Sequence, residues 1–304
     1  MKTKRYLWAL CIAFSVFPLH AQQDLMLSQE IFSRVNKNPA ATGNTDDIDF
    51  FLHGRIQWAG VENSPKSTVL NVTNYLEKIN SGVGFTMSYD HQGIGHNSTN
   101  VKLVYAYQVD LSERYLLSMG LGAGVQVGGF DYTANTMVDV AEYGNDTYPY
   151  EKDVRVSPDF DLGFEFTHPS WTVGLSMTHL TNKESTTFKS GRHLYLYGIG
   201  NLHLNENWIL APVVNYFHHD KTNVCELGSL AYFKRMYWGG VSWRPDFHSK
   251  VNPSMLVFTL GVEWKKFRFG YSCDLGLGKN EQISASTHEL ILSYGLAKSK
   301  FRKK

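Results

Sequence analysis

Trp171-Thr172-Val173-Gly174-Leu175-Ser176-Met177-Thr178 is the stretch whose reading decides the fold. Successive side chains of an extended strand point to opposite sides. Trp171, Val173, Leu175 and Met177 therefore share one face, and Thr172, Gly174, Ser176 and Thr178 the other. One face is large and apolar; the other is small and polar. In a soluble sheet the apolar face meets a core. In a closed barrel of a bacterial outer membrane it meets lipid, and the small polar face lines the lumen. The same alternation recurs in Val83, Phe85, Met87 and Tyr89 against Gly82, Gly84, Thr86 and Ser88. It recurs again in Phe267, Phe269, Tyr271 and Cys273 against Arg268, Gly270, Ser272 and Asp274. An arginine on the lipid face at mid-membrane costs about 2–4 kcal/mol, so Arg268 is expected to face the lumen. The segment 192–203 is less clean, because Tyr195, Tyr197 and Ile199 compete with Leu194 and Leu196.

About fourteen such segments are expected, near 49–58, 67–73, 81–89, 98–110, 115–130, 160–168, 171–180, 192–203, 209–217, 223–233, 237–244, 254–264, 267–274 and 287–296. The gaps carry the topology. Ser112-Glu113-Arg114, Pro169-Ser170, Asn205-Glu206-Asn207, Lys234-Arg235-Met236 and Lys265-Lys266 are tight, and Tyr75-Leu76-Glu77-Lys78 reads as a short packed turn. Between them lie the longer connections Asp131–Asp159, Thr181–Gly191, Pro245–Pro253 and Leu275–Ser286. Short periplasmic turns alternating with longer outer loops are the rule for outer-membrane barrels. The expected fold is thus all-β, a transmembrane antiparallel barrel of about fourteen strands with both termini in the periplasm. A soluble exported β-sandwich is the rival fold, and the alternation of loop lengths argues against it.

The first residues read as an export address. Lys2, Lys4 and Arg5 precede an apolar run from Leu7 to Leu19, and Ala21 offers a small residue for cleavage before Gln22. Cys11 lies inside the apolar run and does not read as a lipid-attachment site. Elsewhere no stretch reaches the ~18 consecutive apolar residues of a membrane-spanning helix. Four regions are expected: a signal peptide at 1–21, an N-terminal periplasmic or plug segment at 22–48, a barrel at 49–296 and a basic periplasmic tail at 297–304. Aromatic residues make up 14% of the chain, enough to form girdles at both membrane interfaces. A net charge of +1 gives no sign of a nucleic-acid partner. Cys225 and Cys273 fall on the tenth and thirteenth expected strands, where a disulfide would have to cross the lumen; two isolated thiols are the alternative.

Chemistry-bearing patterns are sparse. Gly120-Leu121-Gly122-Ala123-Gly124 lacks a following helix, and its glycines share one strand face, so they read as small residues lining a crowded lumen. His218-His219-Asp220, and His91 with His96, sit in expected outer loops without metal-ligand spacing. The acids between Asp131 and Asp153 show no calcium-loop repeat. Asp159 with Asp161, or His288 with Glu289, could serve as acid and base, but His288 and Glu289 are strand neighbours and point to opposite faces. No Gly-x-Ser-x-Gly elbow occurs. The expectation is a protein that is not an enzyme and holds no cofactor or metal.

Several blocks, in order along the chain, resemble the PorP/SprF family of type IX secretion system membrane proteins of the Bacteroidetes. They are Gln22-Gln23-Asp24, Ser28-Gln29, Asn38-Pro39-Ala40-Ala41-Thr42-Gly43, and Arg55-Ile56-Gln57-Trp58-Ala59-Gly60. Gly82-Val83-Gly84 with Asp90-His91-Gln92-Gly93, Ser242-Trp243-Arg244, Gly270-Tyr271-Ser272 with Asp274, and His288-Glu289-Leu290 continue the likeness. Cys273 stands where the family usually has tyrosine. The resemblance implies a non-enzymatic outer-membrane barrel. Its partners would be type IX secretion components and a secreted surface protein with a C-terminal sorting domain, such as a gliding adhesin. A general porin or substrate-specific channel is the alternative.

Physical reasoning places the motif residues. Asn38-Pro39-Ala40 precedes the first strand and sits at the periplasmic rim or folds into the lumen. Pro39 biases Asn38 to an extended conformation, and Gly43 permits a sharp turn. A buried Asn38 would need its amide hydrogen-bonded. Arg55 and Gln57 are expected to face the lumen near the outer end of the first strand, with Trp58 in the interfacial belt. The candidate partner surface is the long outer loop, whose Tyr132, Tyr143, Tyr148 and Tyr150 offer contact area at low entropy cost.

Overall fold

In lipid no backbone N–H or C=O can be left without a partner, so a sheet that crosses a membrane must close on itself. The computed structural model shows such a closure; it describes residues 27–45, 47–93, 95–130, 153–181, 191–219, 222–245, 254–277 and 286–296. The strands are β1 (Ile48–Ile56), β2 (Lys66–Leu76), β3 (Ser81–His91), β4 (His96–Ser112), β5 (Tyr115–Phe130), β6 (Asp153–His168), β7 (Trp171–Thr178), β8 (His193–Gly200), β9 (Leu202–His203), β10 (Trp208–His219), β11 (Thr222–Phe233), β12 (Tyr237–Arg244), β13 (Met255–Trp264), β14 (Phe267–Gly276) and β15 (Thr287–Leu296). Every ladder is antiparallel, and each strand pairs with the next along the chain, except that β8 and β9 both pair with β10. Pairing of β1 with β15, from Ile48 opposite Leu296 to Ile56 opposite His288, shuts the ring. The result is a closed barrel of 14 strands, in which β8 and β9 are two pieces of one strand against β10.

That break differs from the single strand expected at 192–203, and its cause is local. Pro212 of β10 stands in the gap between the two ladders and has no N–H to donate. Asn201 turns away, and its backbone N–H donates instead to Ser170 O at 2.7 Å. Two other boundaries move. β1 ends at Ile56 because Gln57 N–H donates to Pro65 O and Trp58 adopts φ 54°. Gln57 and Trp58 therefore lie in the β1–β2 connection and not on the strand. β6 starts at Asp153, opposite Phe130, so the ladder takes up part of the expected loop Asp131–Asp159. Two connections at the same end as the long loops are short: β3–β4 spans 92–95 and β10–β11 spans 220–221. The expected segments 1–21 and 297–304 lie outside the described residues.

The barrel is inside-out relative to a soluble protein. Leu175 and Val173 of β7 face outward and are exposed, while Ser176 and Thr178 face the lumen and are buried. Arg268 faces the lumen, where its guanidinium lies over the Phe32 ring at 4.9 Å. Cys225 and Cys273 are both free and both on outward-facing positions. Tyr195 and Tyr197 point inward and leave Leu194 and Leu196 for the lipid face. An apolar patch inside the barrel, made of Phe51, Ala211, Val213, Leu230, Trp238 and Ile291, receives Ile31 and Phe32 from the N-terminal segment.

Leu175→Arg places a charge against mid-membrane lipid at a cost of about 2–4 kcal/mol, whereas Leu204→Arg, in an inner turn, costs about 0–1 kcal/mol. Bilayer folding titrations in urea are expected to separate the two variants in that order; equal folding free energies would overturn the placement of Leu175 against mid-membrane lipid.

Candidate functional site

The lumen is occupied. Residues 27–45 run through it as three short 3-10 turns, Glu30–Phe32, Arg34–Asn36 and Pro39–Ala41. Ring geometry and the lack of a backbone N–H make proline a helix starter and push the residue before it to extended backbone. Asn38 accordingly has φ −141° and ψ 107° and caps the last turn. Its side chain is fully used: Oδ1 accepts from Ala40 N at 2.9 Å, and Nδ2 donates to Phe164 O and to Tyr197 Oη, each at 3.0 Å. The residue is buried completely, and these three bonds remove the penalty that an unpaired amide would carry there.

Three glycines make room for this turn. A side chain on Gly120 of β5 would overlap Pro39 and Ala40; one on Gly163 of β6 would overlap Asn38; one on Gly82 of β3 would overlap Thr42. Gly43 has φ 73° and itself abuts Gly82. Of the glycines expected to line a crowded lumen, Gly120 helps to seat the segment Asn38–Gly43, while Gly122 lies against Asp161 and Gly124 against Lys102.

Charge fixes the segment further. Arg34 forks onto Glu165 of β6, Nε to Oε2 at 3.0 Å and Nη2 to Oε1 at 3.2 Å. Glu165 also accepts from Tyr197 Oη and Asn44 Nδ2. Lys37 Nζ donates to Glu30 at 2.6 Å and to Asn215 at 3.0 Å. Ser176 Oγ donates to Lys37 O, so this lumen-facing serine is packed against the segment and is no open position for a larger residue.

At the other end Ser28 N donates to Glu289 Oε2 at 2.8 Å, and Ser28 Oγ donates to Asp274 Oδ1 at 2.7 Å. Arg244 binds the same point: Nη1 to Asp274 at 3.1 Å, Nη2 to Ser28 Oγ at 3.1 Å and Nε to Glu226 at 2.7 Å. His53 and Arg55 of β1 approach Glu289 at 3.0 and 3.6 Å.

These contacts give the segment a direction. Arg244 ends β12, and Asp274 lies near the end of β14, both toward the long loops. Gln108 bonds Asn44 near the short-turn end, where β1 begins. Read from residue 27, the chain descends from the outer half of the lumen to the inner rim. Leu27 and Ser28 thus lie in the outer half of the lumen.

The motif residues thus separate. Asn38, Pro39, Ala40 and Gly43 form the seat, and Arg55 with Glu289 joins the outer network. His288 faces outward, bonded to Tyr271 Oη at 2.7 Å and Ser286 Oγ at 2.8 Å. Gln57 and Trp58 stand apart in a connection. Tyr132, Tyr143, Tyr148 and Tyr150 lie outside the described residues. Asp159 and Asp161 do share the lumen, but Lys102 Nζ bridges them at 2.9 and 2.7 Å, and His179 Nδ1 is 2.7 Å from Asp159. Sequence reasoning missed Arg34, Glu165 and Tyr197. Glu165, a charge on the lumen-facing side of an apolar strand, was the available signal.

Asn38→Leu strips Ala40 N of its acceptor and removes one donor each from Phe164 O and from Tyr197 Oη, which keeps its bond to Glu165; a group stranded in the interior costs about 1–3 kcal/mol. Urea unfolding of the folded barrel followed by tryptophan fluorescence is expected to show this loss. Asn36→Leu, which removes one 3.4 Å bond to Ser33 O, should shift the midpoint far less.

Among the solved structures similar to this chain are outer-membrane barrels. One titled "CymD monoaromatic hydrocarbon channel" has TM-score 0.54 and 12% identity, covering 91% of this chain and 94% of its own. The P. putida toluene transporter TodX has TM-score 0.52 and 10% identity, covering 87% and 93%. At such identities the likeness is one of fold. No curated protein matches the sequence. The profile of the family described as type IX secretion system membrane protein PorP/SprF matches residues 19–294. With that match spanning the barrel and the lumen segment alike, the chain belongs to the PorP/SprF family of outer-membrane β-barrels.

Proposed function

We propose that this barrel serves type IX secretion as a non-enzymatic docking platform, helping to export or to hold at the surface a secreted protein with a C-terminal sorting domain. Contact with periplasmic secretion components is the complementary role. Signal cleavage after Ala21 would deliver the chain for export. The observation that carries the reading is the occupied lumen. Residues 27–45 are tied to β6, β12, β14 and β15 by charge-assisted bonds, and they fill the space a solute would need. A general porin requires that space open, so work at a rim is favoured over free diffusion through the middle.

Two measurements test this. In planar bilayers the native barrel is expected to stay silent to small ions, while Gly120→Val, whose side chain displaces Pro39 and Ala40, is expected to open measurable conductance. Steady conductance in the native protein would favour the channel reading. The second concerns the outer rim. Shortening 131–152, which carries Tyr132, Tyr143, Tyr148 and Tyr150, is expected to leave insertion intact and to release a surface protein from cells. Normal insertion with unchanged surface display would move the docking site to the periplasmic rim.

A further inference from the structure

The inner rim is not uniformly charged. The β6–β7 turn, Pro169-Ser170, is neutral, and the β9–β10 turn, Asn205-Glu206-Asn207, is acidic. The β11–β12 turn and the β13–β14 turn carry Lys234-Arg235 and Lys265-Lys266. These two turns stand side by side, because β12 pairs with β13 from Tyr237 opposite Val262, and Glu263 N–H donates to Met236 O at 2.6 Å. Lys234, Lys265 and Lys266 are all exposed. Among the described residues none of them is ion-paired; the nearby carboxylate of Glu263 is held by Arg268 at 2.9 Å.

The direction of the ammonium groups decides what they meet. Lys265 Nζ lies 4.6 Å over the ring of Trp264, and Lys234 Nζ lies 5.3 Å over the ring of Phe233. Both rings are on outward positions of their strands, and Trp264 is 56% exposed. Aromatic residues at such positions mark the headgroup level of a bilayer. Lys234 and Lys265 therefore lie against the lipid-facing side of the rim at that level, and Lys266 follows Lys265 on the same turn. Arg235 behaves differently: with Arg114, Asp110 and Glu113 it lines a cleft of about 550 Å³ at the inner mouth.

We propose that Lys234, Lys265 and Lys266 form a seat for the phosphate of an anionic phospholipid in the inner leaflet, with Trp264 and Phe233 packing on its glycerol and upper acyl region. One phosphate carries a negative charge at neutral pH, and three lysines on adjacent turns supply ammonium donors that no carboxylate pairs among the described residues. The seat would orient the barrel about its axis relative to bound lipid, since the neutral β6–β7 turn and the acidic β9–β10 turn, whose Asn207 O accepts from Lys234 N–H at 2.7 Å, carry no lysine or arginine.

The test uses the full chain extracted in mild detergent and native mass spectrometry with dioleoyl phosphatidylglycerol and dioleoyl phosphatidylcholine at equal concentration. Each basic residue near an anionic surface favours binding roughly fivefold, so the native barrel is expected to retain phosphatidylglycerol preferentially. Lys234→Gln/Lys265→Gln is expected to lose about tenfold or more of that preference. Lys234→Arg/Lys265→Arg keeps the charge and is expected to retain it. Arg114→Gln/Arg235→Gln removes the same number of charges from the cleft and is expected to leave it unchanged. Heat-modifiable mobility on gels reports that each variant is folded. No preference in the native barrel, or equal loss in both glutamine pairs, overturns the proposal. So does an unchanged preference in Lys234→Gln/Lys265→Gln. If that variant keeps its lipid preference but releases an acidic periplasmic protein that the native barrel co-purifies, the lysines are a protein-docking surface.

Discussion

Closing a sheet in lipid satisfies the backbone but leaves a lumen, and fourteen strands enclose more space than their own inward side chains fill. The rest of the structure follows from that constraint. The chain fills the space with its own residues 27–45, and the inner faces of β3, β5 and β6 are cut back to glycine where that segment passes. The lumen is consequently polar and packed at once. Its buried residues are largely polar, unlike those of a soluble core.

Polar filling rests on paired charges. Glu165 is buried in the wall and receives Arg34, Asn44 and Tyr197; Asp274 and Glu289 receive Ser28, Arg244 and His53. A buried ion pair adds little net stability over apolar packing, because desolvation offsets attraction, yet removing one partner costs about 3–5 kcal/mol. Such pairs therefore select one seating of the segment more than they strengthen the barrel. The glycine seat does the same by shape.

A filled lumen shifts attention to the rims. The outer rim carries long connections and the inner rim tight turns, and the membrane belongs to the barrel wall between them. The two inner turns rich in lysine lean onto outward aromatic residues, while the neighbouring arginines overhang the inner mouth. Charge at this rim is thus divided between the lipid and the periplasm.

Much of the fold was legible in the sequence because strand faces are a local, period-two property. The fourteen strands, the inward Arg268, the opposed His288 and Glu289 and the tight turns follow from residues within a few positions of one another. Asn38 as a residue whose amide must be bonded if buried was likewise readable, since proline constrains its neighbour directly. The partners of that amide were not. Arg34 meets Glu165 across a sequence separation of 131, and Ser28 meets Asp274 across 246. Alternation says that Glu165 faces inward but not what waits there. Pro212 broke a strand from the opposite side of a ladder, where no pattern within 192–203 records it. The path of residues 27–45 from the outer half of the lumen to the inner rim depends on which inward groups converge once the ring is shut. Closure brings distant residues together, so only the tertiary structure decided it.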